Sequence, residues 1–213
     1  SPQLPVIVQR LQNQLEEENR RRQEFYDEVS PDQKAEFIDG EMIVHSPARN
    51  RHLDVTQFVA RLLITFAQIH GLGQVKVEKC LCVFSRNAYE PDVVFFGSQK
   101  AQQLTAETKL FPIPDLIVEV LSESTAANDR GIKFQDYASS GVQEYWIMDA
   151  DQNVVEQYVL AGEQYQLVLK SDSGVLKSHA IAGFVTDVEG LFGAEKNLEM
   201  LRKIVMSEDG GHG

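Results

Sequence analysis

The hydrophobic positions of this chain form two helical stripes of different width, and each stripe predicts a helix. Residues 52–70 carry apolar side chains at every third or fourth position, which is typical of a helix with one broad buried face. Residues 8–29 carry a thinner apolar stripe, which can dock on the body of the protein or on a second subunit. Three acid-to-base pairs four positions apart are expected to stabilise this charged helix, namely Glu16–Arg20, Glu17–Arg21 and Glu18–Arg22.

Short apolar runs predict the strands of a sheet. Residues 93–96, 116–121 and 144–148 are almost continuously apolar, which is typical of strands that are buried on both faces. Residues 75–84 alternate apolar side chains with polar or sulfur-containing ones, and this period of two predicts one half-buried strand.

Two hairpins are predicted in residues 36–44 and 154–169, because each segment contains a two-residue turn with glycine between apolar stretches. Residues 129–140 and 195–206 are predicted to be helical, and the glycine-rich residues 207–213 are predicted to be disordered. The order of these elements predicts an α/β fold in which helices flank a mixed central β-sheet.

The length of 213 residues fits one domain with additions at both ends. We predict an N-terminal charged helix in residues 1–30, an α/β domain in residues 31–194, and a C-terminal helix and tail in residues 195–213. No run approaches the roughly 18 apolar residues of a membrane span, and the N-terminus does not resemble a signal peptide. Cys80 and Cys82 lack the spacing of a metal site, so we expect a reduced protein of the cytoplasm.

The formal net charge of −12 opposes the binding of nucleic acid over a broad surface, because such binding depends on neutralising phosphates with Lys and Arg. Net charge does not locate a local basic patch or a bound metal ion. The negative charge therefore counts against nucleic acid as the substrate but does not exclude it.

Two carboxylates belong to the predicted central strands. Asp92 stands directly before one buried run, and alternation places Glu119 on the same face of the other run as Ile117 and Leu121. A carboxylate among apolar side chains is costly unless it is paired or bound to a cation. Glu119 is therefore either part of a structural ion pair or part of a metal site.

Asp129 and Lys133 lie one helical turn apart and share a face of the helix that follows the strand of Glu119. Lys133 can fold back over the two carboxylates from this position, or it can remain on the surface in a pair with Asp129. Two acids that hold Mg²⁺ or Mn²⁺, together with an ammonium group, are what metal-assisted hydrolysis of a phosphodiester needs.

The combined motifs resemble the Uma family of candidate restriction endonucleases, a bacterial branch of the PD-(D/E)XK nuclease superfamily. The resemblance covers roughly residues 36–192 and rests on this series: Asp39-Gly40-Glu41, Ser46-Pro47, His52, Pro91-Asp92, Pro114-Asp115, Glu119-Val120-Leu121-Ser122, Asp129, Lys133, Tyr137, Gly141-Val142 and Glu144-Tyr145-Trp146-Ile147. It implies a restriction-endonuclease-like core in which Asp92 and Glu119 are metal ligands. Leu121 stands where the superfamily signature has Lys, and the resemblance implies that Lys133 has taken over that role.

Three further residues are weaker candidates for the site. Glu41 can supply an additional acid or can be an exposed carboxylate at a strand end. His52 can be a ligand, a base or simply part of the first turn of its helix. Tyr137 lies one turn beyond Lys133 and is either a member of the site or a core aromatic.

The sequence thus supports two hypotheses about function. In the first, the protein is a metal-dependent endodeoxyribonuclease in which Asp92, Glu119 and Lys133 act on DNA, as a homodimer by analogy with related nucleases. In the second, the nuclease fold is retained as a binding or assembly module with weak or no activity, as the charge of −12 and Leu121 suggest.

Overall fold

The structure is a computed structural model that describes residues 3–30 and 32–206. The predicted disordered tail of residues 207–213 lies outside the described residues. In chain order the elements are α1 (Leu4–Glu28), β1 (Ala35–Ile38), β2 (Glu41–Val44), α2 (Asn50–Ile69), β3 (Gly73–Val77), β4 (Leu81–Val83), β5 (Ala88–Tyr89), β6 (Val93–Gly97), α3 (Ser98–Ala101), β7 (Leu110–Phe111), β8 (Leu116–Val120), α4 (Ala126–Arg130), α5 (Ile132–Ser139), β9 (Glu144–Asp149), β10 (Val154–Ala161), β11 (Gln164–Ser171), β12 (Val175–Lys177), β13 (Val185–Asp187), a 3₁₀ turn (Val188–Leu191) and α6 (Ala194–Met206).

A six-stranded mixed sheet forms the centre of the fold, with the strand order β11-β10-β9-β8-β6-β3. Strands β8 and β9 are parallel and the other neighbours are antiparallel. The continuous apolar runs are β6, β8 and β9, which occupy the middle of this sheet and are buried on both faces. The predicted α/β fold with a mixed central sheet is confirmed.

The alternation predicted for residues 116–121 separates the two faces of the sheet. Leu116, Val118 and Val120 pack in the core beneath α2 and α6. Ile117 packs in the opposite core beneath α5, and Leu121 lies at the edge of that core. Glu119 thus projects from the face that α5 covers.

A second sheet, in the order β2-β1-β5-β4-β7, carries the first predicted hairpin. Asp39 and Gly40 form its turn with φ values of +50° and +82°, a conformation that glycine and aspartate tolerate. All four residues of β1 are buried, so this hairpin is held against the body rather than projecting from it.

Helix α1 lies over the second sheet through its C-terminal half, where Phe25 is buried against Phe37. The predicted ladder of ion pairs forms only in part, because Glu17 pairs with both Arg20 and Arg21. Glu18 and Arg22 do not pair with each other. Glu18 instead binds Arg86 at 2.6 Å, and Arg22 donates to the backbone oxygen atoms of Ser85 and Phe84, since the body offers them nearer partners.

The prediction of one strand over residues 75–84 is wrong. The chain turns sharply between β3 and β4 at Glu78 and Lys79, whose φ values are +47° and +48°. The two halves therefore belong to different sheets. Nothing in the alternating pattern marks this turn, because neither glycine nor proline is present there.

The prediction of one helix over residues 129–140 is also wrong, because Gly131 divides it into α4 and α5. A Cβ atom at Gly131 would lie 2.7 Å from the backbone oxygen of Ala127, so only glycine allows this close approach. Asp129 and Lys133 remain adjacent across the break.

Among the helices of residues 3–30 and 32–206, none is long and apolar enough to cross a membrane.

Candidate active site

The register of two antiparallel strands brings Asp92 and Glu119 to the same end of the central sheet. Val93 in β6 pairs with Val118 in β8, so the residue before Val93 lies opposite the residue after Val118. The start of β6 and the end of β8 thus carry one carboxylate each. Both side chains are almost completely buried.

Asp92 is held by a backbone donor, a lysine and a histidine. Its Oδ2 accepts a hydrogen bond of 2.8 Å from the backbone N–H of Val120. Its Oδ1 accepts from Lys34 Nζ at 2.7 Å and lies 3.3 Å from His52 Nε2. Burial opposes ionisation, but Lys34 and His52 outweigh it and hold the pKa of the Asp92 carboxyl well below its ordinary value.

Glu119 lies in a second group of charges, which surrounds the ammonium of Lys133. Lys133 Nζ lies 3.0 Å from Glu119 Oε1, 3.0 Å from Glu36 Oε1 and 3.1 Å from Asp129 Oδ1. Tyr137 donates its hydroxyl proton to the same Glu119 Oε1 at 2.9 Å. Lys133 therefore reaches the carboxylates from α5 and does not lie on the surface.

Three buried carboxylates share this one lysine, and their pKa values shift in different directions. Burial opposes the ionisation of Glu36, but Lys133 and His45 outweigh it and lower the pKa of Glu36 to about 2. Burial raises the pKa of Glu119 to about 8 against the opposing ammonium of Lys133, and the carboxylates of Asp129, Asp92 and Glu36 add to the rise. Burial also raises the pKa of Asp129. The shortage of positive charge around Glu119 therefore favours its protonated form.

Sequence reasoning missed Lys34 and Glu36, which the hairpin of β1 and β2 brings to the site. Glu36 is fully buried; its Oε1 accepts from the backbone N–H of Glu90 and its Oε2 lies 2.9 Å from His45 Nε2. A carboxylate inside an apolar strand was the signal that identified Glu119, and Glu36 in β1 carries the same signal. Lys34 has no such local mark, since its partner Asp92 lies 58 positions away along the chain.

A cavity of about 440 Å³ opens above these residues, and its walls carry opposite charges. Most of its lysine, arginine and histidine side chains come from residues 34–52, and they are Lys34, His45, Arg49, Arg51 and His52, while Lys133 lies at the cavity from α5. Further acidic side chains line the cavity from the loop after β8 and from the end of β9 and its following turn, and they are Glu123, Asp149 and Asp151. Despite the net charge of −12, this cavity therefore has a basic wall directly beside Asp92.

The structure brings most of the predicted residues together. The cavity is lined by Asp92, Glu119, Lys133 and His52. Below it, Asp129 contacts Lys133 and Tyr137 contacts Glu119. Glu41 is not brought to the site, because its exposed side chain pairs with Arg21 of α1 at 3.2 Å on the far side of the hairpin turn. His52 Nδ1 is buried, and no hydrogen-bond partner for it occurs among residues 3–30 and 32–206.

The donor set fits a hard divalent cation in one particular mode. No group of three or more His, Cys, Asp or Glu side chains in the described chain has the geometry of a metal cage. Mg²⁺ is commonly held by one or two carboxylates, with water and substrate phosphate completing its shell. Asp92 and Glu119 can act in this way, because both are carboxylates that line one cavity.

The mixed central sheet, with one carboxylate at the start of β6 and one at the end of β8, belongs to an α/β fold of the nuclease-like class. The chain belongs to the Uma2 family, described as putative restriction endonuclease, whose model matches residues 17–189. The fold is also similar to that of a putative nuclease belonging to DUF820 from Anabaena variabilis. That similarity has a TM-score of 0.69 at 16% sequence identity and covers 84% of this chain and 97% of the other. No curated protein matches the chain.

Proposed function

We propose that this protein is a metal-dependent endonuclease that hydrolyses phosphodiester bonds of DNA, with Mg²⁺ or Mn²⁺ held by Asp92 and Glu119. The observation that carries the proposal is the meeting of these two buried carboxylates at one cavity. Membership of the Uma2 family supports the same conclusion. A divalent ion held there would supply an activated water and a polarised phosphate.

The residues around the two carboxylates would orient them for this role. The backbone N–H of Val120 fixes Asp92, while Tyr137 and Lys133 fix Glu119 from the side of α5. Preorganised ligands lose little freedom when an ion binds, so these contacts favour binding without a large rearrangement.

The proposal is tested by comparing ion binding and DNA cleavage in the wild type and in Asp92→Asn. The purified wild type should bind Mn²⁺ in calorimetry and nick supercoiled plasmid, and EDTA should stop the nicking. Asp92→Asn should lose both properties, because an amide is a far poorer ligand for a hard cation than a carboxylate. Its apo form should also melt below wild type, since Lys34 loses its anionic partner.

Asp115→Asn is the matched control for Asp92→Asn. Asp115 also pairs with a lysine, Lys100, at 2.6 Å, but it does not line the cavity. This variant should keep ion binding and nicking. Nicking by Asp92→Asn at the wild-type rate, or nicking that survives EDTA, would contradict the proposal.

A catalytically weak binding or assembly module is the second candidate function. It is favoured by the lysine contacts, because Lys34 and Lys133 already contact Oδ1 of Asp92 and Oε1 of Glu119 without a metal ion. Leu121 and the net charge of −12 favour it as well. A wild-type protein that binds Mn²⁺ or DNA without cleaving would select this function.

The N-terminal half of α1 supports a homodimer within either function. Its large apolar side chains are half exposed, and they are Leu4, Val6, Ile7, Val8, Leu11 and Leu15. Light scattering of the intact chain and of Leu11→Glu would measure the oligomeric state, and we expect the charged variant to be the smaller species.

A further inference from the structure

The ammonium of Lys133 is enclosed by buried carboxylates and donates a hydrogen bond to one of them, Glu119, at 3.0 Å. An ammonium group offers three N–H donors, and the Lys133 nitrogen already lies within 3.1 Å of three carboxylate oxygens, those of Glu36, Glu119 and Asp129. Its side chain is 2% exposed, and the ring of Tyr89 closes another side with its centroid 5.7 Å away. This lysine is therefore placed to hold carboxylates in position rather than to contact an incoming anion.

Lys34 has the properties that Lys133 lacks. Its nitrogen has one carboxylate partner among the described residues, Asp92, so two of its three donors remain free. The side chain is 27% exposed and lines the cavity. His52 reaches the same oxygen of Asp92 from α2 and lines the cavity beside Lys34.

We propose that Lys34, with His52 beside it, forms the phosphate-binding subsite of this cavity, and that Lys133 is a positioning residue for Glu119. The ligand is a phosphate oxyanion, which an ammonium with free donors binds through charge-assisted hydrogen bonds. The proposal rests on the proposed function for its biological substrate, a phosphodiester. The binding of phosphate to Lys34 does not depend on that function and can be measured with inorganic phosphate alone.

The first experiment measures phosphate binding without metal. Melting temperatures are compared in sodium phosphate and in sodium chloride of equal ionic strength, for wild type, Lys34→Met and Lys100→Met. Lys100 is the matched control, because its 2.6 Å pair with Asp115 and its 33% exposure resemble those of Lys34. Phosphate should stabilise wild type and Lys100→Met but not Lys34→Met.

A second pair of variants keeps the test decisive if Lys34→Met folds poorly. Asp92→Asn removes the negative charge beside Lys34, so phosphate should stabilise it at least as much as wild type. The double variant Lys34→Met/Asp92→Asn removes both members of the pair and should lose the phosphate effect. Equal stabilisation by phosphate with and without Lys34, or none in any of these proteins, overturns the subsite.

The third measurement separates this inference from the nuclease proposal. If the wild type nicks plasmid, Lys34→Met should lower kcat/KM by roughly 10²-fold, the scale of one electrostatic stabiliser, while Mn²⁺ affinity stays equal or rises. Full cleavage by Lys34→Met overturns the assignment of Lys34. If the wild type does not nick plasmid while phosphate binding still depends on Lys34, the subsite stands and the nuclease proposal fails.

Discussion

Glu119→Gln is expected to reduce divalent-ion-dependent cleavage by roughly 10³-fold or more, because it removes half of the carboxylate pair that would hold the ion. The same substitution should stabilise the metal-free protein at alkaline pH. Burial raises the pKa of Glu119 from an ordinary value of 4.5 to about 8. The stability that comes from its bound proton is therefore complete below pH 4.5 and is lost as the pH rises through 8.

Calorimetric melting of the two apo proteins between pH 5 and pH 9 measures this effect. The wild type should lose stability relative to Glu119→Gln as the pH rises, and the variant should melt higher at pH 9. For a chain of this length, ~1 kcal/mol corresponds to a shift of about 2–4 °C. Glutamine keeps an Oε1 acceptor for Lys133 and Tyr137, so the comparison changes charge more than packing.

Glu90→Gln is the control that separates stability from chemistry. Glu90 is also a buried acid whose pKa is raised by burial, but it does not line the cavity. Its amide variant should show a stability change of the same sign and should keep the cleavage rate. An apo Glu119→Gln protein that melts below wild type at pH 9 would identify Glu119 as a structural partner of Lys133.

The central strands could be predicted from the sequence because burial on both faces demands continuous apolar runs. The same runs made Asp92 and Glu119 conspicuous, and the register of β6 and β8 then placed the two carboxylates side by side. The pair of Asp129 and Lys133 was visible because it is local, with a separation of four residues. These features could be predicted because they depend on residues close in sequence or on the regular spacing of apolar residues.

The remaining features of the site depend on contacts between distant segments, and the periodicity of apolar residues does not reveal such contacts. Lys34 meets Asp92 and Glu36 meets Lys133 only after the hairpin of β1 and β2 packs over the end of the central sheet. The break at Glu78 is equally hidden, because it is a backbone turn formed by ordinary polar residues. The sequence therefore located Asp92, Glu119 and Lys133 but not Lys34 and Glu36, which the hairpin brings to them.

The removal of Lys133 should cause the largest change in stability, because this one ammonium group contacts three buried carboxylates. Lys133→Met should cost about 3–5 kcal/mol, the usual loss when one partner of a buried ion pair is removed. Three carboxylates, those of Glu36, Glu119 and Asp129, would then lie buried without their common cation. The expected fall in melting temperature is about 6–20 °C, measured by calorimetry at pH 8.

The loss should be smaller in acid, because protonated carboxyl groups do not need the ammonium of Lys133. It should also be partly rescued in Lys133→Met/Glu36→Gln, which removes one of the unpaired charges. Lys203→Met is the matched control, since Lys203 forms a pair with Glu199 at 2.9 Å and the same four-residue spacing on the exposed face of α6. Solvent screens that pair, so no measurable change is expected. If Lys133→Met melts like Lys203→Met, the three carboxylates do not depend on Lys133, and its role as the positioning residue of Glu119 is wrong.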